Sequence, residues 1–145
     1  IGVQLPWGNA EEKARAERLA EGLQRVQVLP SLSLVGMAGV VAGAQACVAV
    51  DTGLGHLAAA LNVPCLSLFG PTNPGLTGAY GPSQSHLASD FPCTPCLQKT
   101  CQYRPTAEEA RQFDLQREQP LCFTRVAPDN VFERLQMLLA DHGAI

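Results

Sequence analysis

No uninterrupted apolar run of bilayer-spanning length occurs in this sequence, and its start shows no signal-peptide pattern. Charge is also sparse: charged residues make up 16%, the net charge is −3, and no basic stripe appears, which argues against non-specific binding to nucleic acid. No internal repeat or low-complexity tract is visible. What is present is ordinary for a soluble globular domain, with 46% apolar residues in a chain of 145, enough for about one sizeable core. The chain opens on Ile1 rather than Met, already inside a strand-like run. It therefore reads as a piece of a longer protein, whose earlier part would hide any targeting segment.

Periodicity alternates between strand and helix. Ile1 to Leu5 reads as a strand and Pro6-Trp7-Gly8 as a turn. Asn9 can cap a helix over 9–24, with Glu12 completing a capping box and Ala16, Leu19, Ala20 and Leu23 forming the buried stripe. Val26 to Leu29 is a short strand ended by Pro30. Leu34, Met37, Ala38 and Val41 give a helix over 33–43 its core face, weakened by Gly36 and Gly39. Cys47 to Val50 and Cys65 to Phe69 read as buried strands flanking a helix over 53–62, which Asn62 closes. This βαβαβαβ order predicts an α/β fold: a Rossmann-like parallel sheet, with strands near Val3, Val28, Val48 and Leu66 side by side and helices on both faces. Gly70 to Pro82 reads as a Pro- and Gly-rich loop. Beyond Cys93 the periodicity is poor until a short helix over Thr106–Gln112 and a clear last one from Pro128 to Asp141, with Val131, Leu135, Leu138 and Leu139 on one face and Gly143 beyond its end.

The turn at Asp51-Thr52-Gly53 is where chemistry is expected. A helix opening directly after a buried strand aims unpaired N–H groups and the positive end of its dipole beyond the strand end, a natural phosphate site. Thr52 adds a hydroxyl, and Gly53 lets backbone approach a diphosphate. Asp51 suits sugar hydroxyls better than a diphosphate, because like charges repel. His56 falls one turn into the helix, on about the same side as Thr52. The plainer reading makes Thr52 only a helix cap and His56 a surface residue.

Taken together, VDTGLGHLAAALNVPCLSLFGPTNPGLTGAYG resembles the donor-binding motif of the bacterial lipopolysaccharide heptosyltransferases, their heptosyltransferase I branch above all. LPWGNAEEKARAERLAEGL and VLPSLSL look like the same family in the same order, so the likeness covers Leu5 to Gly81 well and the rest loosely. It implies the C-terminal half of a two-domain GT-B glycosyltransferase, with residues 1–145 as the donor domain lacking its first strand and loop. The acceptor domain, with the carboxylate that serves as base, would lie outside this chain, and the chain alone would not catalyse transfer. The implied reaction moves L-glycero-D-manno-heptose from ADP-heptose to Kdo-lipid A on the cytoplasmic face of the inner membrane, with peripheral membrane contact. By the same likeness, Asp51 holds heptose hydroxyls, Thr52, Gly53 and Leu54 cradle the diphosphate, and His56 is the motif histidine. Trp7, Gly8 and either Glu11 or Glu12 look like the nucleoside edge, and Leu32 like the adenine-packing residue. Trp7 has a plainer role in filling a strand end, and the two acids suit a first helical turn in any case.

Six cysteines are present. Cys47 and Cys65 sit in expected buried strands as small hydrophobes. Cys93, Cys96 and Cys101, with Cys122 further on, have spacing that suits zinc, a disulfide or plain thiols. Some relatives carry such a cluster and others lack it, so it is not essential to transfer. No D-x-D carboxylate pair occurs, and no cofactor is required by the implied displacement. Two other readings stand beside this one. Val50-Asp51-Thr52-Gly53 is also the signature of aspartic proteases, though there it lies in an all-β fold. A nucleotide-sugar-binding domain without transfer chemistry would share every feature above.

Overall fold

The computed structural model describes residues 2–112 and 120–143. Ile1, read with the first strand, lies outside them. The chain divides into two compact units, Ile1–Val40 and Val41–Ile145. The described elements alternate in the expected order. They are β1 (Val3–Leu5), α1 (Ala10–Ala20), β2 (Val26–Val28), α2 (Leu34–Ala42), β3 (Cys47–Val50), α3 (Gly53–Ala60), β4 (Cys65–Phe69), α4 (Pro74–Thr77), β5 (Gln84–Ala88), α5 (Ala107–Gln112), a 3-10 turn (Leu121–Arg125) and α6 (Pro128–Asp141).

In the first unit, β1 and β2 pair in parallel, Val3 opposite Val26 and Leu5 opposite Val28, with α1 as the crossover. Asn9 caps α1 by accepting from the Glu12 N–H at 2.9 Å. The expected box closes one residue early, because the Glu12 carboxylate accepts from the Gly8 N–H at 2.7 Å. Of the expected stripe on α1, Ala16 is buried, whereas Leu19 and Leu23 are exposed.

In the second unit, β3, β4 and β5 form a parallel sheet in that order, Val48 opposite Leu66 and Leu66 opposite Ser85. The middle strand carries the core. Cys65, Leu66 and Phe69 are the largest fully buried side chains, and Ser67 is buried beside them. A strand buried at nearly every position is covered on both faces, and both α3 and α6 lie against β4. Burying a side chain such as Phe69 contributes about 1.5–3 kcal/mol relative to leaving it in water. Asn62 takes a left-handed φ of 56° just past α3, the backbone state in which Asn or Gly commonly ends a helix. On α6, Leu138 is buried with Val131, Leu135 and Leu139 half-buried, as its periodicity predicts.

Two expectations need correction. The single sheet through Val3, Val28, Val48 and Leu66 is instead two hydrogen-bonded sets, both parallel, one in each unit. A fifth strand also escapes the sequence pattern. Gln84-Ser85-His86-Leu87-Ala88 has no β-branched run, yet it pairs along the whole of β4 and is tied at its start by Gln84 Nε2 donating to the Val63 carbonyl at 3.0 Å. Pairing with an available edge overrides weak intrinsic preference here.

The neighbouring β3 and β4 bring Cys47 opposite Cys65. Burial, and secondarily Cys65, push the Cys47 thiol up to about 11 from an ordinary 9.0. A raised thiol pKa favours the neutral form in the folded state. This contribution to stability is therefore whole below about pH 9 and falls as pH rises from 9 toward 11, because the unfolded chain ionises first. Alkylation of Cys47 by iodoacetamide, followed by peptide mass spectrometry, is expected to accelerate only as pH approaches 11. A midpoint near 9 in the folded protein would contradict it.

Candidate functional site

The candidate site lies in the second unit at the carboxyl ends of β3 and β4, where open α/β sheets bind ligands. β3 stops at Val50, the chain turns through Asp51 and Thr52, and α3 begins at Gly53. The start of α3 is set by packing. A Cβ at Gly55 would sit 3.0 Å from Ser67 Oγ, so the helix lies close enough to β4 that a side chain there would have to push the Ser67 hydroxyl aside. Thr52 occupies the N-cap position in extended conformation, φ −145° and ψ 169°, but its side chain makes no capping hydrogen bond. Thr52 is thus the cap by position and backbone, as the plainer reading has it, but its hydroxyl is not spent on capping. At Gly53 an added Cβ would meet nothing within 4 Å. The fold itself does not demand glycine there.

Asp51, Thr52 and His56 line one shallow cleft together with Val50, Gly55, Ser67, Phe69, Thr77 and Ala79. Gly53 and Leu54 follow directly as the first turn of α3, whose leading N–H groups lack helical partners. His56 is exposed and Asp51 half-buried. One carboxylate oxygen of Asp51, Oδ2, accepts from the Thr77 hydroxyl at 2.9 Å. The arrangement offers an acceptor-only carboxylate next to a positive helix end, suited to a ligand that is anionic at one point and rich in hydroxyls at another.

Sequence reasoning missed the far wall of this cleft. Thr77 and Ala79 belong to a stretch read only as loop, within which Pro74–Thr77 forms the single turn α4. Asn73 opens that turn by accepting from the Gly75 N–H at 2.9 Å. The Asn-Pro-Gly signal for such a turn was legible, but its meeting with Asp51 spans 26 positions and was not.

In the first unit the structure ties down several candidates. The Trp7 indole N–H donates to the Leu29 carbonyl at 2.6 Å, and Lys13 Nζ lies 5.5 Å from the ring centroid. Trp7 is half-buried and ties its turn to the residue just past β2, rather than filling the core. Glu12 is bonded to the Gly8 N–H, and Glu11 faces Arg15 at 3.7 Å on the surface. Leu32 is half-buried and lies against the backbone of Gly36. A larger open hollow of about 550 Å³ runs along α1 and β2, lined by Ala14, Glu17, Arg18 and Val28. It is a helix flank of mixed charge with no convergent polar groups.

All six cysteines are free thiols. Among the described residues, no three His, Cys, Asp or Glu side chains form a group that could hold a metal ion. Burial, then the neighbouring thiols, push Cys93 and Cys122 above the ordinary range. Their loop is held by other groups: Ser89 Oγ donates to the Cys122 carbonyl at 2.7 Å, and Thr94 Oγ1 to the Phe91 carbonyl at 2.7 Å. Phe91 is buried and packs edge-on against Tyr103 at 4.9 Å. Tyr103 donates to Glu109, whose carboxyl is held below its ordinary value chiefly by the Thr106 N–H. No described helix is long and apolar enough to cross a membrane.

The fold disposes of the aspartic-protease reading. Asp51-Thr52-Gly53 joins a parallel strand to a helix, whereas that chemistry needs the triplet within an all-β frame.

Comparison with known proteins agrees with this architecture. The model of glycosyltransferase family 9 (heptosyltransferase) matches residues 1–107. Lipopolysaccharide heptosyltransferase 1 of Pseudomonas aeruginosa PAO1 is 69% identical over 137 residues, which is 94% of this chain and 39% of that protein. Its counterpart in Escherichia coli K12 is 56% identical over 84 residues, 58% of this chain and 26% of that one. The solved structure of E. coli heptosyltransferase WaaC with ADP superimposes with a TM-score of 0.61 at 53% identity, covering 61% of this chain and 28% of that one. WaaC with ADP-2-deoxy-2-fluoro heptose gives 0.57 at 49% identity, covering 61% and 27%. The chain spans about two fifths of the length of the P. aeruginosa relative.

Proposed function

The chain belongs to glycosyltransferase family 9, the heptosyltransferases, and from that premise we propose that it is the donor-binding part of a lipopolysaccharide heptosyltransferase I. The full protein transfers L-glycero-D-manno-heptose from ADP-heptose to Kdo-lipid A in inner-core lipopolysaccharide synthesis. It works at the cytoplasmic face of the inner membrane, and no helix among the described residues is long and apolar enough to span it. The observation that carries the reading is the opening of α3, with an uncommitted Thr52 hydroxyl and open space over Gly53. A likeness over 61% of the chain to a WaaC structure holding ADP supports this reading.

In this reading Thr52, Gly53 and Leu54 hold the diphosphate, Asp51 accepts from heptose hydroxyls, and His56 donates from the flank. Trp7, Gly8, either Glu11 or Glu12, and Leu32 serve the nucleoside end. The acceptor hydroxyl attacks the anomeric carbon, a carboxylate of the acceptor domain takes its proton, and ADP departs. Negative charge grows on the departing diphosphate, and the fixed dipoles at the start of α3 stabilise it where it forms. The base belongs to the acceptor domain, so no catalytic residue is assigned within this chain. Neither metal nor cofactor enters this scheme, and the thiols of Cys93, Cys96, Cys101 and Cys122 take no part in it.

Calorimetric titration of the full-length protein tests the reading. ADP and ADP-heptose are expected to bind and UDP to bind at least about tenfold more weakly, a difference of about 1.4 kcal/mol. Equal affinity for UDP and ADP would remove the assignment of an adenine-nucleotide donor.

A further inference from the structure

Asp51 reaches the cleft on a turn between β3 and α3, and a carboxylate in such a place is free to rotate unless something holds it. Here one group does. The Thr77 hydroxyl lies 2.9 Å from Asp51 Oδ2 and 3.4 Å from its alternative acceptor, the Asn73 carbonyl. A hydroxyl has a single proton to give, and the shorter contact, to a charged acceptor, takes it.

The segment carrying Thr77 is itself braced from the sheet. His86 Nε2, on β5, lies within hydrogen-bond distance of the Ala79 carbonyl, at 3.0 Å, and its ring meets Phe69 edge-on at 5.3 Å. Gly78 is buried so tightly that an added Cβ would run into the Pro74 carbonyl and the His86 ring. Tyr80 reaches back from the other side, its hydroxyl donating to the Gly75 carbonyl at 3.3 Å. The α4 turn is therefore a fixed mount, and Thr77 transmits that fixity to the carboxylate.

We propose that Thr77 is a positioning residue for Asp51, engaging Oδ2 so that Oδ1 faces the donor sugar in one orientation. The inference rests on the reading of Asp51 as the acceptor for heptose hydroxyls. An ionised carboxylate only accepts hydrogen bonds, and it keeps free lone pairs after taking one from Thr77. Pre-setting the carboxylate lowers the ordering cost that the sugar would otherwise meet on binding. ADP, which lacks the sugar, gains nothing from it.

The test is a double-mutant cycle in the full-length protein, titrating ADP-heptose and ADP and recording melting temperatures for Thr77→Val, Thr77→Ser, Asp51→Ala and the Asp51→Ala/Thr77→Val pair. Thr77→Val is expected to weaken ADP-heptose about three- to tenfold, in the range of one lost hydrogen bond, and to leave ADP unchanged. Thr77→Ser should restore the affinity, and Thr77→Val should have no further effect once Asp51 is Ala. If Asp51→Ala weakens ADP-heptose selectively while Thr77→Val does not, positioning by Thr77 is overturned and the sugar reading stands. If Asp51→Ala treats the two ligands alike, the sugar reading itself fails and the inference falls with it. Equal weakening of both ligands by Thr77→Val, with a lower melting temperature, would make Thr77 a structural residue and overturn the proposal.

Discussion

Replacing Asp51 with Ala is expected to cut transfer and ADP-heptose affinity at least about tenfold while sparing ADP. The side chain is half-buried at the cleft, and one of its oxygens is already engaged by Thr77. Losing one or two hydrogen bonds between a charged acceptor and sugar hydroxyls costs about 1.5–3 kcal/mol each. The opening of α3 does not depend on the lost carboxylate, so the diphosphate cradle survives. Binding of plain ADP should hold or improve slightly, because a negative charge near the phosphates has gone. Were Asp51 only a brace for the turn, both ligands would weaken together and the melting temperature would fall. Two titrations and one melting curve therefore separate the roles.

Gly53→Val should behave in the opposite way, weakening ADP and ADP-heptose alike by about tenfold or more, with little effect on stability. The contrast has a structural basis. A Cβ at Gly53 meets nothing of the protein within 4 Å, so the fold accepts a side chain there. A β-branched group there would obstruct a ligand approaching the first turn of α3. Valine costs well under 1 kcal/mol in helix propensity relative to most residues and improves on glycine. An unchanged ADP affinity in Gly53→Val would mean that the diphosphate does not come close to this backbone. A large fall in melting temperature would point instead to a packing demand that the structure does not display.

The sequence made the second unit legible from Cys47 to Phe69 because its pattern and its packing agree. β4 is an apolar run, and it is buried at nearly every position. Asn62 ends α3 in the left-handed state that its side chain favours. Pro128 and Gly143 bracket α6 as expected, with Gly143 at φ 66°. What stayed hidden depended on partners far along the chain. β5 is polar in composition and becomes a strand because β4 offers it an edge. The division into two sheets was equally invisible, since short apolar runs announce strands but not which strand each one pairs with. For the candidate site, the strand–turn–helix signal marked Asp51, Thr52, Gly53 and His56, and the structure brings Asp51, Thr52 and His56 to one cleft. Thr77 was not marked, because a threonine in a Pro- and Gly-rich loop carries no local mark of the carboxylate it will meet. At Glu12 local reasoning found the right partner region and the wrong atom, with Gly8 in place of Asn9.

The close approach of Gly55 to Ser67 has a mechanical consequence. It acts as a fulcrum beneath α3, two residues from the ligand-facing end and five from Ala60. At a rise of about 1.5 Å per residue the short arm is about 3 Å and the long arm about 7.5 Å. A rocking of about 10° about that fulcrum moves the first turn by only about 0.5 Å and the far end by more than twice as much. On this geometry a disturbance entering at the Leu61–Pro64 connection is geared down before it reaches Thr52 and Gly53.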